Sequence, residues 1–375
     1  MLQNITPSQW LGLSLLLIPL LIQWVYFYGY FSVLFVKTKT REHNSYPEGV
    51  SIIVCAKNEY DNLKELIPIL CNQNYPKFEV IIVNDGSWDD SNLLINTFME
   101  QYAVLRSIYL DPEKKLFSGK KLGITLGIKS ALYNHILLTD ADCRPQSKEW
   151  ITLMSNSLGE DKDLALGYSP YQKLGGLLNL FIRFETQLTA MLYLSKAIKG
   201  RPYMGVGRNL AYTKASFYAV KGFGSHHHIH AGDDDLHIQR IANKKNTAVV
   251  IDEAAFVESI PKQNWHDWVN QKRRHLQIGG YYKSYAKRFS GIFMLSHFWF
   301  TLSFLALLIF YFQLWPLLLI ILLVRYIVNG LSFAICAKKL GDLSTIIFYP
   351  LLDFLMQCYW FSFGVYIFLT KKKEW

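Results

Sequence analysis

The chain has 375 residues, is 51% hydrophobic and 15% aromatic, and carries a formal net charge of +10. That length holds one large domain or two smaller ones. The apolar residues gather at the two ends, which argues against an ordinary soluble enzyme and for membrane spans around a water-facing middle. A positive surface suits nucleic acid or the anionic cytoplasmic leaflet. Here the basic residues sit at the borders of the apolar runs, so the membrane is the expected partner and nucleic acid is not. The five cysteines (Cys55, Cys71, Cys143, Cys336, Cys358) show no metal-type pairing and read as free thiols in a reducing compartment.

Residues 10–35 are almost entirely apolar and long enough to cross a bilayer. The run is too long, and its start too poor in positive charge, for a cleaved signal peptide. Lys37, Lys39 and Arg41 follow it and predict a cytoplasmic end there. From Val50 the pattern changes to strands alternating with helices: strands at 50–55, 80–83, 104–110 and 136–139, helices at 61–71, 89–102 and 121–132. Such alternation predicts a mostly parallel sheet with both faces covered. Ligands bind such sheets beyond the carboxyl ends of the strands. Asn58-Glu59, Asp85 and Asp140/Asp142 all fall at such ends. Farther on, 175–199 reads as a long helix and 208–212 as a strand. Gly232-Asp233-Asp234-Asp235 opens a helix that runs to 242. Residues 265–288 carry Lys272, Arg273, Arg274, Lys283, Lys287 and Arg288 among aromatics, which predicts one amphipathic helix on the membrane surface.

Three apolar runs close the chain, at 292–312, 314–336 and 343–369. Arg325 and Asp353 lie at membrane depth and are expected to face protein and to pair. If every run crosses once, Lys338 and Lys339 are cytoplasmic but Lys371-Lys372-Lys373 are outside, against the positive-inside bias. One run is therefore expected to be re-entrant or interfacial, and Pro350 and Asp353 single out 343–369. The division expected is a span at 1–36, a linker at 37–49, an α/β domain at 50–263, an interfacial helix at 264–290, a membrane region at 291–370 and a basic tail at 371–375.

The chemistry centres on Thr139-Asp140-Ala141-Asp142. On an extended chain both carboxylates share one face, where they can hold one divalent cation through hard oxygen ligands. A cation there could bind a diphosphate. In Asp233-Asp234-Asp235 mutual repulsion raises the proton affinity of at least one carboxylate, although a helix start also favours acids. Asn84-Asp85-Gly86 alone is an ordinary turn former. His226, His227, His228 and His230 could ligate metal, but their spacing suits no closed site and a polar loop is expected. His230 stays open as an extra ligand.

Taken in order, Ser51-Ile52-Ile53-Val54-Cys55-Ala56-Lys57-Asn58-Glu59, Val83-Asn84-Asp85-Gly86-Ser87, Gly119-Lys120, Asp140-Ala141-Asp142, Gly232-Asp233-Asp234-Asp235-Leu236 and Gln271-Lys272-Arg273-Arg274-His275 resemble a family 2 glycosyltransferase. The resemblance runs from about Val50 to Leu276. It implies a GT-A fold, a Rossmann-like α/β domain, with one N-terminal and two to three C-terminal transmembrane helices. It also implies a nucleotide-diphosphate sugar donor, Mg²⁺ or Mn²⁺, and a membrane-associated lipid or glycan acceptor. By the same resemblance Asn58, Glu59 and Asp85 frame the nucleotide, Lys120 lies near the phosphates, and Asp140 and Asp142 meet metal and nucleotide. Asp233 is the general base with Asp234 as the alternative, since Gly232 replaces the usual glutamate and the register is open by one residue. Asp235, Gln271 and Arg274 are left for acceptor and phosphate, and His275 replaces a tryptophan expected in processive synthases. Inverting transfer by a bacterial-type inner-membrane protein with a cytoplasmic catalytic domain is the function implied. A component of a polysaccharide synthase, or a non-catalytic membrane protein that keeps the fold, are the alternatives.

Overall fold

The computed structural model describes residues 6–35, 48–111, 113, 119–159, 161–227, 229 and 231–369. It begins with helix α1 (Pro7–Trp24), capped by Thr6 and Gln9 in a reciprocal pair of hydrogen bonds. An α/β region follows: β1 (Val50–Ala56), α2 (Tyr60–Cys71), β2 (Phe78–Asn84), α3 (Ser91–Gln101), β3 (Leu105–Tyr109), α4 (Lys120–Ser130), β4 (His135–Asp140), β5 (Cys143–Pro145), α5 (Trp150–Ser155) and β6 (Leu164–Gly167). Then come α6 (Leu177–Ile198), β7 (Leu210–Thr213), α7 (Lys214–Ala219), α8 (Asp235–Ile241), β8 (Thr247–Val250), β9 (Val257–Ser259) and α9 (Trp265–Gly279). Helices α10 (Ser284–Phe310), α11 (Trp315–Lys339) and α12 (Tyr349–Leu369) end the described chain.

Two units emerge. One comprises residues 37–186 and 196–281, the other 1–36, 187–195 and 282–375. The first is built on a seven-stranded sheet of order β3-β2-β1-β4-β7-β6-β8. Strands β3, β2, β1 and β4 are mutually parallel, and β7 is antiparallel to both β4 and β6. The sheet is therefore mixed beyond β4. Val50, Ile52, Ile53 and Val54 of β1 are all buried, as expected of a strand covered on both faces. Register sets the functional edge: Ala56 lies opposite Asn84, and Cys55 opposite Asp140, so three strands end together.

Helix α4 lies unusually close to this sheet. A Cβ on Gly123 would come within 2.8 Å of Cys55 Sγ, and one on Gly127 within 2.6 Å of Ile53 Cγ2. Each glycine costs helix propensity of about 1 kcal/mol relative to alanine. In return the close approach leaves the start of α4, Lys120 and Lys121, at the level of the strand ends.

The second unit holds the apolar helices. Leu13, Leu16, Leu20, Phe300, Leu307, Leu314 and Leu318 form a shared core. Among the described residues, four helices are long and apolar enough to cross a membrane: Pro7–Leu34, Ser284–Phe310, Phe312–Lys339 and Ser344–Tyr366. Many of their large apolar side chains, among them Leu302, Ile309, Phe310 and Ile347, point outward. A surface of this kind fits lipid rather than water. Arg325 and Asp353 are buried and paired at 2.8 Å, and Gln23 accepts a hydrogen bond from Arg325 at 2.9 Å.

Several expectations shift. The basic stretch 265–288 is not one helix: α9 stops at Gly279, before Gly280, and Ser284 begins α10, which runs on into an apolar span. Glycine is a poor helix interior and ends the first segment. Pro350 does not interrupt the last run, because it is the second residue of α12, where its missing N–H costs nothing. Asp353 is neutralised within the bundle by Arg325. Neither Pro350 nor Asp353 therefore sets 343–369 apart from the other apolar runs. Lys37, Lys39, Arg41, His228, His230 and Lys371-Lys372-Lys373 lie outside the described residues.

Candidate active site

The loops after β1 and β2 are tied together before any ligand arrives. Asn58 adopts a left-handed backbone (φ 56), which asparagine tolerates better than most residues. Its N–H donates to Ser87 Oγ at 2.9 Å, and its Oδ1 accepts from the Trp88 N–H at 3.0 Å. The Asp85 N–H donates to the Ala56 carbonyl at 2.8 Å, fixing Asp85 at the end of β2. Asn58 therefore builds the loops of the expected nucleotide pocket with the very oxygen it might have offered to a ligand. Glu59 accepts from Asn62 Nδ2 at 2.6 Å, and burial, aided by Asp142, pushes its carboxyl up.

Asp140 ends β4, but the chain does not stay extended through Asp142, which sits in a turn before β5. The carboxylates still converge: Asp140, Asp142 and Cys143 offer ligand atoms that all lie within 4.8 Å of one another. Burial, and then the neighbouring Asp140, raise the Asp142 carboxyl. The Cys143 thiol is pushed well up by burial and then by Asp142 and Asp140, so it stays protonated and donates to Asp142 Oδ1 at 3.4 Å. A thiol in that state is a poor ligand. Among the described residues the donor set that remains is two carboxylates, which fits a hard dication such as Mg²⁺ or Mn²⁺.

Lys120 joins the two halves of the site. Its ammonium lies 2.7 Å from Asp140 Oδ1 and 3.2 Å from Asp233 Oδ2. Desolvation alone would lower its pKa. Asp140, Asp233 and Asp234 outweigh that and hold it well above the ordinary lysine range. Conversely, burial would raise Asp233, but Lys120 and Lys121 hold its carboxyl below the usual range. Asp234 goes the other way, raised by burial and by Asp233. Both its oxygens are engaged by backbone N–H groups, Oδ1 by Asp235 at 2.8 Å and Oδ2 by Gly207 at 3.0 Å. It caps α8. Asp235 is buried in the first turn of α8. Gly232 takes φ 80, and a Cβ there would meet Leu236 at 2.8 Å, which accounts for glycine where the resembling family has glutamate.

Four groups that pattern reading passed over complete the site. Lys121 Nζ donates to the carbonyls of His226, Ile229 and Ala231 at 2.8, 2.6 and 2.9 Å, anchoring the loop that leads to Asp233. Arg208 lies with its guanidinium 4.4 Å from the Tyr171 ring centre and counters the raised Asp142. Lys262, brought in because the Ile260 N–H donates to the Asp142 carbonyl at 3.1 Å, counters it too. Arg144 grips the carboxylate turn from behind. The expected strand at 208–212 takes in Arg208, but β7 begins only at Leu210, and nothing in the local pattern marks Lys262. Gln271 and Arg274 lie three residues apart on α9. Their neighbour His275 is pushed down to about 3 by desolvation and then by Lys272, Arg208 and Arg274, with Asp233 opposing.

A model described as Glycosyl transferase family 2 matches residues 51–217, and one described as Glycosyl transferase family group 2 matches residues 135–335, more than half of the chain. The chain belongs to glycosyl transferase family 2. As a glycosyltransferase it is 26% identical over 135 residues to poly-beta-1,6-N-acetyl-D-glucosamine synthase of Staphylococcus epidermidis, covering 34% of this chain and 32% of that protein. Against the probable glycosyltransferase YdaM of Bacillus subtilis it is 27% identical over 152 residues, covering 40% and 36%. The chain thus spans about a third of the length of the curated relatives it matches. Mannosyltransferase PcManGT from Pyrobaculum calidifontis, solved with GDP-Man and Mn²⁺, superposes with a TM-score of 0.59 at 13% identity, covering 92% of this chain and 97% of that one. At that identity the likeness is one of fold.

Proposed function

We propose that this glycosyltransferase moves a sugar, with inversion, from a nucleotide-diphosphate donor to a lipid or glycan acceptor held at a membrane. The observation that carries the reading is the Lys120 bridge, which joins Asp140 of the carboxylate pair to Asp233 at 2.7 and 3.2 Å. It puts a leaving-group site and a candidate base within one side chain of each other. Asp142 and Asp140 would hold Mg²⁺ or Mn²⁺, which when bound supplies Lewis-acid neutralisation of the diphosphate. Asp85, with Asn58 and Glu59 shaping the loops beside it, frames the nucleotide.

Asp233 is the better base of the pair. Lys120 keeps it ionised, and so able to take the proton from an acceptor hydroxyl as that oxygen attacks the anomeric carbon. Asp234, with both oxygens committed to backbone N–H groups, orients the start of α8. Arg208 adds positive charge beside the carboxylate pair, and Gln271 and Arg274 are assigned to acceptor and phosphate. The catalytic domain is taken as 50–263 and placed on the cytoplasmic side, where nucleotide sugars are made.

The poly-N-acetylglucosamine synthase relative favours an N-acetylhexosaminyl donor over other hexosyl donors. The test is a panel of nucleotide-diphosphate sugars offered to the purified protein in detergent with Mn²⁺ and a lipid extract, reading labelled product. Transfer from one donor, abolished in Asp142→Ala, is expected. No transfer from any donor would remove the reading.

A further inference from the structure

We propose that Arg144 is the positioning residue that holds the Asp140–Asp142 turn in the shape that receives a divalent cation. The inference rests on the metal reading given above. Arg144 lies in β5 and is only 8% exposed. Its Nη1 donates to the carbonyls of Ala141 at 3.0 Å and Cys143 at 2.9 Å, the residues on either side of Asp142. Its Nη2 donates to Glu65 Oε2 at 3.0 Å and Asn62 Oδ1 at 3.3 Å, and its Nε to Glu65 Oε2 at 3.2 Å. The carbonyl of Asp142 itself is taken by the Ile260 N–H. Three successive carbonyls are thereby fixed, and with them the direction in which the Asp142 side chain leaves the chain.

The fork matters more than the charge. A guanidinium presents donors on three nitrogens in one rigid plane, so Nη1 holds the two carbonyls while Nη2 and Nε reach α2; an ammonium has a single nitrogen and serves only acceptors that converge on one point, as those of Lys121 do. The same side chain reaches Asn62, whose Nδ2 donates to Glu59. One guanidinium therefore links the turn to the first turns of α2 and, through Asn62, to the Glu59 carboxylate. The ion pair with Glu65 is the less important contact, because that carboxylate is 69% exposed and such pairs are worth little. Groups that orient metal ligands from behind commonly change metal affinity by about 10–100-fold when altered.

The experiment titrates Mn²⁺ into the full chain in detergent, alone and with UDP present, and follows binding directly, with a thermal melt beside it. Wild type is expected to bind. Arg144→Lys and Arg144→Gln are expected to melt cooperatively and to bind Mn²⁺ about tenfold or more weakly, while Glu65→Gln stays within about threefold of wild type. Arg144 variants that bind as wild type does overturn the proposal. So does an equal loss in Glu65→Gln, which would make the surface ion pair the active contact. So does failure of both Arg144 variants to melt cooperatively, which would assign the residue to the whole fold rather than to the turn. Absence of Mn²⁺ binding by wild type would instead remove the metal reading itself, and this inference with it.

Discussion

Lys120 carries two jobs with one ammonium. It lies against Asp140 and Asp233, and it keeps Asp233 ionised where burial would protonate it. The sign of its removal follows. With Lys120→Met the Asp233 pKa rises, so a base that works only when deprotonated is lost at a higher pH. The acid limb of the rate profile should move up by about one unit or more, measured as transfer against pH at saturating Mn²⁺; an unmoved limb would separate Asp233 from the proton transfer. A second residue speaks to stability. His237 on α8 is fully buried against Tyr212, Phe217 and Phe223, and both its ring nitrogens are without a hydrogen-bond partner among the described residues. Burial, with His226 and Arg240, pushes it down to about 3 from its ordinary 6.5. Its contribution is complete above pH 6.5 and is lost as the pH falls toward 3, because only the unfolded chain takes the proton in that window. The loss is on the order of 1 kcal/mol per pH unit. Melts between pH 7 and 5 should fall more steeply for wild type than for His237→Phe; equal slopes would contradict this.

At the scale of elements, α4 shows how a helix is placed by what it lacks. Gly127→Ala gains helix propensity but drives a methyl to 2.6 Å from Ile53 Cγ2, on a stiff β-branched side chain inside the sheet. Overpacking of this kind costs about 1–3 kcal/mol, so the variant should melt lower, and the loss caused by Gly127→Ala should shrink in an Ile53→Ala background, which lacks Cγ2. The buried Arg325–Asp353 pair belongs to the same scale. Arg325→Met alone leaves a carboxylate uncompensated and should cost about 3–5 kcal/mol, while Arg325→Met with Asp353→Leu should be milder than either single change. Melting in detergent decides it. The early strands and helices were legible because each is long, periodic and closed by turn chemistry. Strands β5 and β9 were not, since three residues carry no period, and yet their pairing delivers Lys262. The Asp140–Asp142 spacing implied an extended chain, and the two carboxylates come together instead across a turn. The turn that replaces it is held by Arg144, whose contacts are made across the fold and leave no local signal. Residues 265–288 read as one helix because charge and aromatics continue past the two glycines that end α9.

Across the whole molecule, the candidate chemistry is confined to one unit. Asn58, Glu59, Asp85, Lys120, Asp140, Asp142, Arg208, Asp233, Asp234, Asp235, Gln271 and Arg274 all fall within residues 37–186 and 196–281. The apolar helices that fit a bilayer fall in the other. That separation suits an enzyme that draws a soluble donor from water and keeps its acceptor at a membrane. It makes the central claim, that Asp233 is the base for sugar transfer, testable without disturbing the anchors. The direct measurement compares wild type with Asp233→Asn, using the donor the panel identifies, for donor binding and for transfer to acceptor. The account predicts donor affinity within a few-fold of wild type and transfer reduced by about 10²–10⁴-fold. Transfer by Asp233→Asn at the wild-type rate would contradict it.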